Sequence, residues 1–191
     1  MRSSGSTPSP RSRTPLRLLV VITGEDHPKA CTGRRLLRWR RVRAFSAAWP
    51  AAADPVVLDP YAPTPLSGAD AESARRGGIL VVDCSWNRLS ARGMFPGEEG
   101  RRRFGRIHRR LPLLIAANPQ HYGRLTQLTT VEAFCGALSV LGREAEAKNV
   151  ISGFAGGDEF LEINRIRLER YRHAAGPEEI RTAERDLFGG T

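Results

Sequence analysis

Apolar residues follow two rhythms along this 191-residue chain. Up to residue 122 they gather in short continuous runs, each closed by Gly, Pro, Asn or Asp. Leu16-Arg17-Leu18-Leu19-Val20-Val21-Ile22 is the first, with residues 24–28 as its outgoing loop. Pro55-Val56-Val57-Leu58 follows, closed by Asp59-Pro60. Residues 79–82 form the clearest run, and residues 113–117 the last, stopped by Asn118-Pro119. Runs of this length bounded by turn residues predict buried strands. Between them, residues 33–45 set Leu36, Leu37 and Trp39 among six Arg and predict a one-sided helix. Residues 69–76 predict a second helix and residues 85–89 a helical turn, while residues 93–110 read as a long polar connection.

After Tyr122 the spacing becomes helical throughout. Thr129 followed three residues later by Glu132 is a capping-box pattern. Behind it Val131, Phe134, Cys135, Leu138 and Leu141 recur at helical spacing. Residues 145–154 continue with Ala147, Val150 and Ile151, and Phe160, Ile163, Leu168 and Tyr171 extend a third stripe. Pro177 opens a last helix that Gly189 ends. Strands alternating with helices, then helices alone, predict an α/β protein. The expected division is a disordered basic tail over 1–15, an α/β cofactor-binding domain over 16–122 and a helical domain over 123–191.

Charge sharpens this picture. The chain carries +10 overall. Residues 1–43 hold eleven Lys/Arg against two Asp/Glu, a net of 11 − 2 = +9, whereas residues 131–191 hold eight against eleven, a net of 8 − 11 = −3. A basic half beside a mildly acidic part points to one face that meets a polyanion such as RNA. Arg suits that role through its planar fork and its stacking on bases. The candidate contacts are Arg34, Arg35 and Arg38 in the first basic segment, and Arg101, Arg102, Arg103, Arg106, Arg109 and Arg110 in the second. Cys31, Cys84 and Cys135 are widely spaced and form no paired-Cys metal motif, so reduced thiols, no metal and a cytoplasmic location are expected. No apolar run approaches the roughly 20 residues that span a bilayer, and residues 16–22 do not read as a signal peptide.

Polar residues at the ends of these elements are where an α/β protein places its chemistry. Thr32 and Thr130 stand at expected helix starts, where each either caps its own helix or donates to a bound anion. Asp83 ends the strongest strand, as a general base, as a positioning group, or as a cap on the next turn. Trp86 follows that strand, either in the core or as an apolar wall, with Leu89 on the same side of a turn. No glycine-rich dinucleotide fingerprint is present.

Three segments, Asp26-His27-Pro28-Lys29-Ala30-Cys31-Thr32-Gly33, Val81-Val82-Asp83-Cys84-Ser85-Trp86, and the stretch from Leu111 through Asn118-Pro119-Gln120-His121-Tyr122-Gly123-Arg124 to Glu132, have a familiar order and wording. Over residues 16–188 the chain resembles the small-subunit rRNA aminocarboxypropyltransferase family, which uses S-adenosylmethionine to modify a ribosomal pseudouridine. The resemblance implies a SPOUT-like trefoil-knotted sheet followed by a mostly helical carboxy-terminal domain, acting as a monomer on small-subunit rRNA or the pre-ribosomal subunit, with no membrane partner. It implies transfer of the 3-amino-3-carboxypropyl group to N3 of an N1-methylpseudouridine, with methylthioadenosine released.

The same resemblance assigns roles to residues. Thr32 and the Thr130 backbone would hold the cofactor's carboxylate, and Trp86 with Leu89 would wall off its methyl. The Val82 carbonyl would meet the ribose, while the Leu111 amide and the Thr126 carbonyl would meet the adenine edge. Leu58, Pro60, Leu128 and Ala133 would sandwich the ring. The chain departs from the family wording at Asp59, where relatives carry Ser, at Leu125, where they carry Pro, and at Gly156, where Trp is common. Two other readings remain: a SPOUT-type RNA methyltransferase, and a non-catalytic rRNA-binding assembly factor.

Overall fold

The computed structural model describes residues 14–23, 31–46, 54–83 and 104–189. Five parallel strands, β1 (Leu18–Ile22), β2 (Arg43–Ala44), β3 (Val56–Leu58), β4 (Ile79–Asp83) and β5 (Ile107–Arg109), form one sheet in the order β2-β1-β4-β3-β5. Helices α1 (Thr32–Arg38) and α2 (Ala71–Gly77) lie between strands. After the sheet come α3 (Thr130–Val140), α4 (Glu144–Ile151), α5 (Gly157–Ile163), α6 (Arg165–His173) and α7 (Pro177–Phe188). The two-residue side-chain period of a strand sorts the central runs onto two faces. Leu18, Val20, Val56, Leu58, Ile79 and Val81 join a core with Leu36, Phe134, Phe160, Tyr171 and Ile180. Leu19, Val57, Leu80 and Val82 form a smaller cluster on the opposite face, covered by Val21, Phe45 and Phe104.

Two expectations about elements change. The helix expected over residues 33–45 stops at Arg38, because Arg40 takes a left-handed φ of 57° and turns the chain back. Arg43 and Ala44 then pair with Leu19 and Val20, and the Phe45 N–H donates to the Val20 carbonyl at 2.9 Å. The polar connection over residues 93–110 hides a strand, β5, whose residues pair with all of β3. By contrast, the Thr129–Glu132 capping box and the Pro177 helix start form as expected. The helical turn over residues 85–89, the loop over 24–28 and the tail over 1–13 lie outside the described residues.

Residues 113–117 are extended but never join the sheet. One side meets the returning chain: the Thr126 N–H donates to the Leu114 carbonyl at 2.9 Å, and Ala116 exchanges bonds with Arg124 and Gly123. Among the described residues, the other side is met by side chains from the helices. Glu184 of α7 accepts from the Leu113 N–H at 3.0 Å, and the Tyr171 hydroxyl of α6 donates to the Leu113 carbonyl at 3.0 Å. Asn164, fully buried between α5 and α6, accepts from the Ile115 N–H and donates to the Ile115 carbonyl, both at 2.8 Å. Glu132 of α3 accepts from the Ala117 N–H at 2.8 Å.

These bonds correct the architecture that the resemblance implies. In place of a SPOUT-like trefoil-knotted sheet followed by a helical domain, the structure has a five-strand parallel sheet with helices packed into the same core, and no trefoil knot is evident among the described residues. The physical reason lies in residues 113–117. Their apolar run predicts the sheet's last strand, but most of its hydrogen-bonding groups pair with helical side chains and with its own return.

Replacing Asn164 by Ala leaves both the N–H and the carbonyl of Ile115 without partners inside the core. Each buried unsatisfied group costs about 1–3 kcal/mol, so a loss of roughly 2–4 kcal/mol is expected. Urea denaturation measures it; a change below about 1 kcal/mol would show that water replaces the amide.

Candidate active site

β1 and β4 run side by side and end together, with Ile22 opposite Asp83. The chain beyond β1 returns at Cys31 to start α1, which brings the Cys31-Thr32-Gly33 turn against the end of β4. Asp83, 8% exposed, is held there through both its backbone and its carboxylate. Its carbonyl accepts from the Thr23 N–H at 3.2 Å and from the Thr23 hydroxyl at 3.0 Å. Its Oδ2 accepts from the Gly33 N–H and from the Cys31 thiol, both at 3.0 Å. Oδ1 has no partner among the described residues.

Cys31 works in two directions. Its sulfur caps α1 by accepting from the Arg34 N–H at 3.3 Å while its proton points to Asp83. Burial, reinforced by the bond to Asp83, pushes this thiol up to about 11, so it stays protonated and remains a donor at neutral pH. Cys135, buried in α3, is pushed up to about 12 by desolvation. Gly33 is required by proximity: a Cβ there would sit 2.0 Å from Asp83 Oδ2 and 2.8 Å from Ile22.

Thr32 is the first residue of α1 and half-buried. It borders a cleft of about 270 Å³ that is also lined by Arg35, Asn118, Gln120, Glu132, Phe154 and Gly156. Glu132 shapes its floor. That buried carboxylate accepts from the Ala117 N–H, the Asn118 amide, and the Thr129 N–H and hydroxyl, each at 2.8 Å. Gly156 forms part of the wall with φ 76°, where a Cβ would approach the Ala117 carbonyl oxygen to 2.4 Å. A cleft of this size falls just short of the roughly 300–1,000 Å³ of a drug-sized ligand site.

Other residues nominated from the sequence fall as follows. Val82 is buried next to Asp83, and Leu58 is buried at the end of β3, with exposed Pro60 two residues on. Leu128 is buried, and Leu111 and Ala133 are half-buried against the main core. The Leu111 N–H meets no acceptor among the described residues. Thr126 is exposed with a left-handed φ of 64°, and its carbonyl already accepts from the Leu128 N–H at 2.8 Å. Thr130 is a buried first residue of α3, whose cap is Thr129. Trp86, Leu89, Arg101, Arg102 and Arg103 lie outside the described residues.

The Arg residues divide into two kinds. Arg34 and Arg38 are exposed on α1, and Arg106 is exposed at 3.8 Å from Asp54. Arg35, in contrast, lies over the rings of both Trp39 and Phe154, its guanidinium 4.5 and 4.6 Å from the ring centres, and donates to the Gly153 carbonyl at 2.8 Å. Arg109 pairs with buried Asp70 at 2.9 Å. Arg110 grips Glu184 through two bonds of 2.6 and 2.8 Å, which hold the guanidinium above its ordinary pKa. Asp59 is almost fully buried, accepting from the Tyr61 N–H at 2.9 Å and facing His108 Nδ1 at 3.1 Å. Sequence reasoning missed Cys31 as a bridging group; its place immediately before an expected helix start was the available signal.

A parallel sheet with polar groups gathered at its strand ends defines an α/β protein of the ligand-binding kind, and comparison makes the class specific. Residues 56–188 match the family described as "Ribosome biogenesis protein, C-terminal", and the chain belongs to that family. It is 40% identical to the 16S rRNA aminocarboxypropyltransferase of Methanopyrus kandleri, over 90% of this chain and 99% of that one. It is 37% identical to the protein of the same name from Methanosarcina mazei, over 85% and 90%. A solved structure, described as the SAM-dependent rRNA:acp-transferase Tsr3 from Vulcanisaeta distributa, superposes with a TM-score of 0.77 at 33% identity, covering 91% of this chain and 89% of that one.

Gly33→Ala forces either Asp83 or the start of α1 to move, an overpacking that costs typically 1–3 kcal/mol. Denaturant titration should show that loss. Wild-type stability would mean that the end of β4 yields without strain.

Proposed function

We propose that this chain is an S-adenosylmethionine-dependent 16S rRNA aminocarboxypropyltransferase whose acceptor is N3 of a pseudouridine, N1-methylated before it arrives. The observation that carries the reading is the contact between Asp83 and the Cys31-Thr32-Gly33 turn. Two motifs about fifty residues apart, one assigned to the cofactor by resemblance and the other ending in the strand-end carboxylate, touch here. Extensive similarity to proteins named for this activity supports it.

Among the described residues, the site fits such a cofactor on three counts. Thr32 offers a hydroxyl at the cleft. The Leu111 N–H has no protein acceptor. The apolar residues assigned to adenine, Leu58, Leu111, Leu128 and Ala133, belong to or pack on one core cluster. When bound, the cofactor supplies an electrophilic γ-carbon on a sulfonium. Thr32 orients the carboxylate of its amino-acid arm, with the Thr130 backbone as second anchor, and the acceptor base enters through the cleft beside Thr32. Asp83 Oδ1 would take or steer the N3 proton of the acceptor base. Trp86 and Leu89 shield the methyl, Val82 holds the ribose, and the Thr126 carbonyl and Pro60 complete the adenine site.

Exposed Arg34, Arg38 and Arg106, with Arg101, Arg102 and Arg103, carry the RNA contact; Arg35, Arg109 and Arg110 hold the fold beneath it. The enzyme acts as a cytoplasmic monomer on the small subunit during its assembly. No helix among the described residues is long and apolar enough to cross a membrane.

The released product decides the reaction. Incubation with rRNA should yield methylthioadenosine; adenosylhomocysteine instead would make the chain a methyltransferase. Thr32→Ala removes one charge-assisted donor, worth roughly 1.5–3 kcal/mol, and should weaken cofactor binding about ten- to a hundredfold in calorimetry. Unchanged affinity would remove Thr32 from the carboxylate site.

A double reversal, Arg34→Glu with Arg38→Glu, should leave stability within about 0.5 kcal/mol. It should also weaken rRNA binding and flatten its salt dependence, because two fewer phosphates are neutralised and fewer counterions released. An unaltered salt slope would place the RNA elsewhere.

A further inference from the structure

Two of the three motifs meet at one carboxylate, yet among the described residues only half of that carboxylate is engaged. Asp83 Oδ2 receives two donors, the Gly33 N–H and the Cys31 thiol, at 3.0 Å each. Oδ1 has none among the described residues, in a side chain that is almost buried. A carboxylate rotates about one bond, so two donors fixed on one oxygen also fix where the other points. The backbone cannot do this alone. Gly33 contributes one bond, and a single donor leaves the plane of the carboxylate free to turn.

We infer that Cys31 is a positioning residue for the transfer reaction: its thiol, by donating to Asp83 Oδ2, turns Oδ1 toward the acceptor base. The inference rests on the proposed reading that Asp83 acts on that base. Cys31 reaches Asp83 from the residue immediately before Thr32, so one short turn sets both the cofactor's arm and the group that meets the nucleophile. Because the sulfur also caps α1 at Arg34, any shift of the helix start is transmitted to the carboxylate. Neither sulfur–nucleophile chemistry nor a disulfide is involved. The thiol acts as a neutral hydrogen-bond donor throughout.

Removing the thiol therefore reduces turnover through Asp83, and a double-mutant cycle separates this from capping. Single-turnover transfer to an rRNA fragment carrying N1-methylpseudouridine is measured for wild type, Cys31→Ala, Cys31→Ser, Asp83→Asn and the Cys31→Ala/Asp83→Asn pair, at saturating cofactor. Cys31→Ala should lower the rate about tenfold or more, as for loss of a hydrogen bond to a charged group. Cys31→Ser, which keeps a donor and a cap, should recover to within about threefold of wild type. In the Asp83→Asn background the Ala substitution should cost less than about twofold. An equal cost in both backgrounds overturns the inference and leaves Cys31 as a cap. Near-normal transfer by Asp83→Asn overturns the underlying role of Asp83, and the positioning role with it. Impaired Asp83→Asn beside normal Cys31→Ala overturns the positioning role alone.

Discussion

The structure depends on a segment that, among the described residues, has no strand on one of its sides. Residues 114, 116 and 117 are buried and residues 113 and 115 half-buried, so the backbone groups on that side draw their partners from the protein. The partners are Glu184, Tyr171, Asn164 and Glu132, drawn from across the helical half. Losing any one of them strands a backbone group in the core, which costs more than the bond itself contributes. The helices are thereby tied to the chain that leaves the sheet by directional bonds as well as by apolar packing. Arg110 extends the tie by neutralising the Glu184 carboxylate.

The same segment delivers the site. Its far end, Asn118, is clamped by Glu132 at the start of α3, so that helix begins at a fixed distance from the strand-like run. On the opposite wall, α1 is fixed at its start by Asp83 and at its end by the stacking of Trp39, Arg35 and Phe154. Arg41 adds bonds to the carbonyls of Val150 and Ser152 at the end of α4. The cleft beside Thr32 is thus bounded by elements pinned from both ends. A site that must hold one carbon of three on a sulfonium in line with a nucleophile needs walls of that kind.

How much of this was legible in the sequence follows from where each element sits. The inner strands β1, β3 and β4 are buried on both faces, and their unbroken apolar runs announced them. β2 and β5 are the outer strands of the sheet, where charged side chains are tolerated. Arg43 and Arg109 accordingly disguised them as helix and loop. Residues 113–117 misled in the opposite direction, since an apolar extended run carries no mark of whether backbone or side chains satisfy it. Asp83 and Thr32 stood out because strand ends and helix starts are readable locally. Their meeting through Cys31 and Gly33 was not readable, because a contact across about fifty residues leaves no local pattern.

The bonds around Asn118 have a wider consequence. Its amide donates to the Gln127 carbonyl at 3.2 Å and to Glu132 at 2.8 Å, while its oxygen accepts from the His121 N–H at 3.0 Å. These bonds draw a neck across the base of the excursion between residues 119 and 126, whose outer members Tyr122 and Leu125 are largely exposed. Its returning arm is bonded back to the run over residues 114–116 through Gly123, Arg124 and Thr126, so a shift of that backbone reaches the wall of the cleft. The excursion is stitched along one margin: only outward side chains such as Leu125, held through its backbone alone, can change without pulling on the seam.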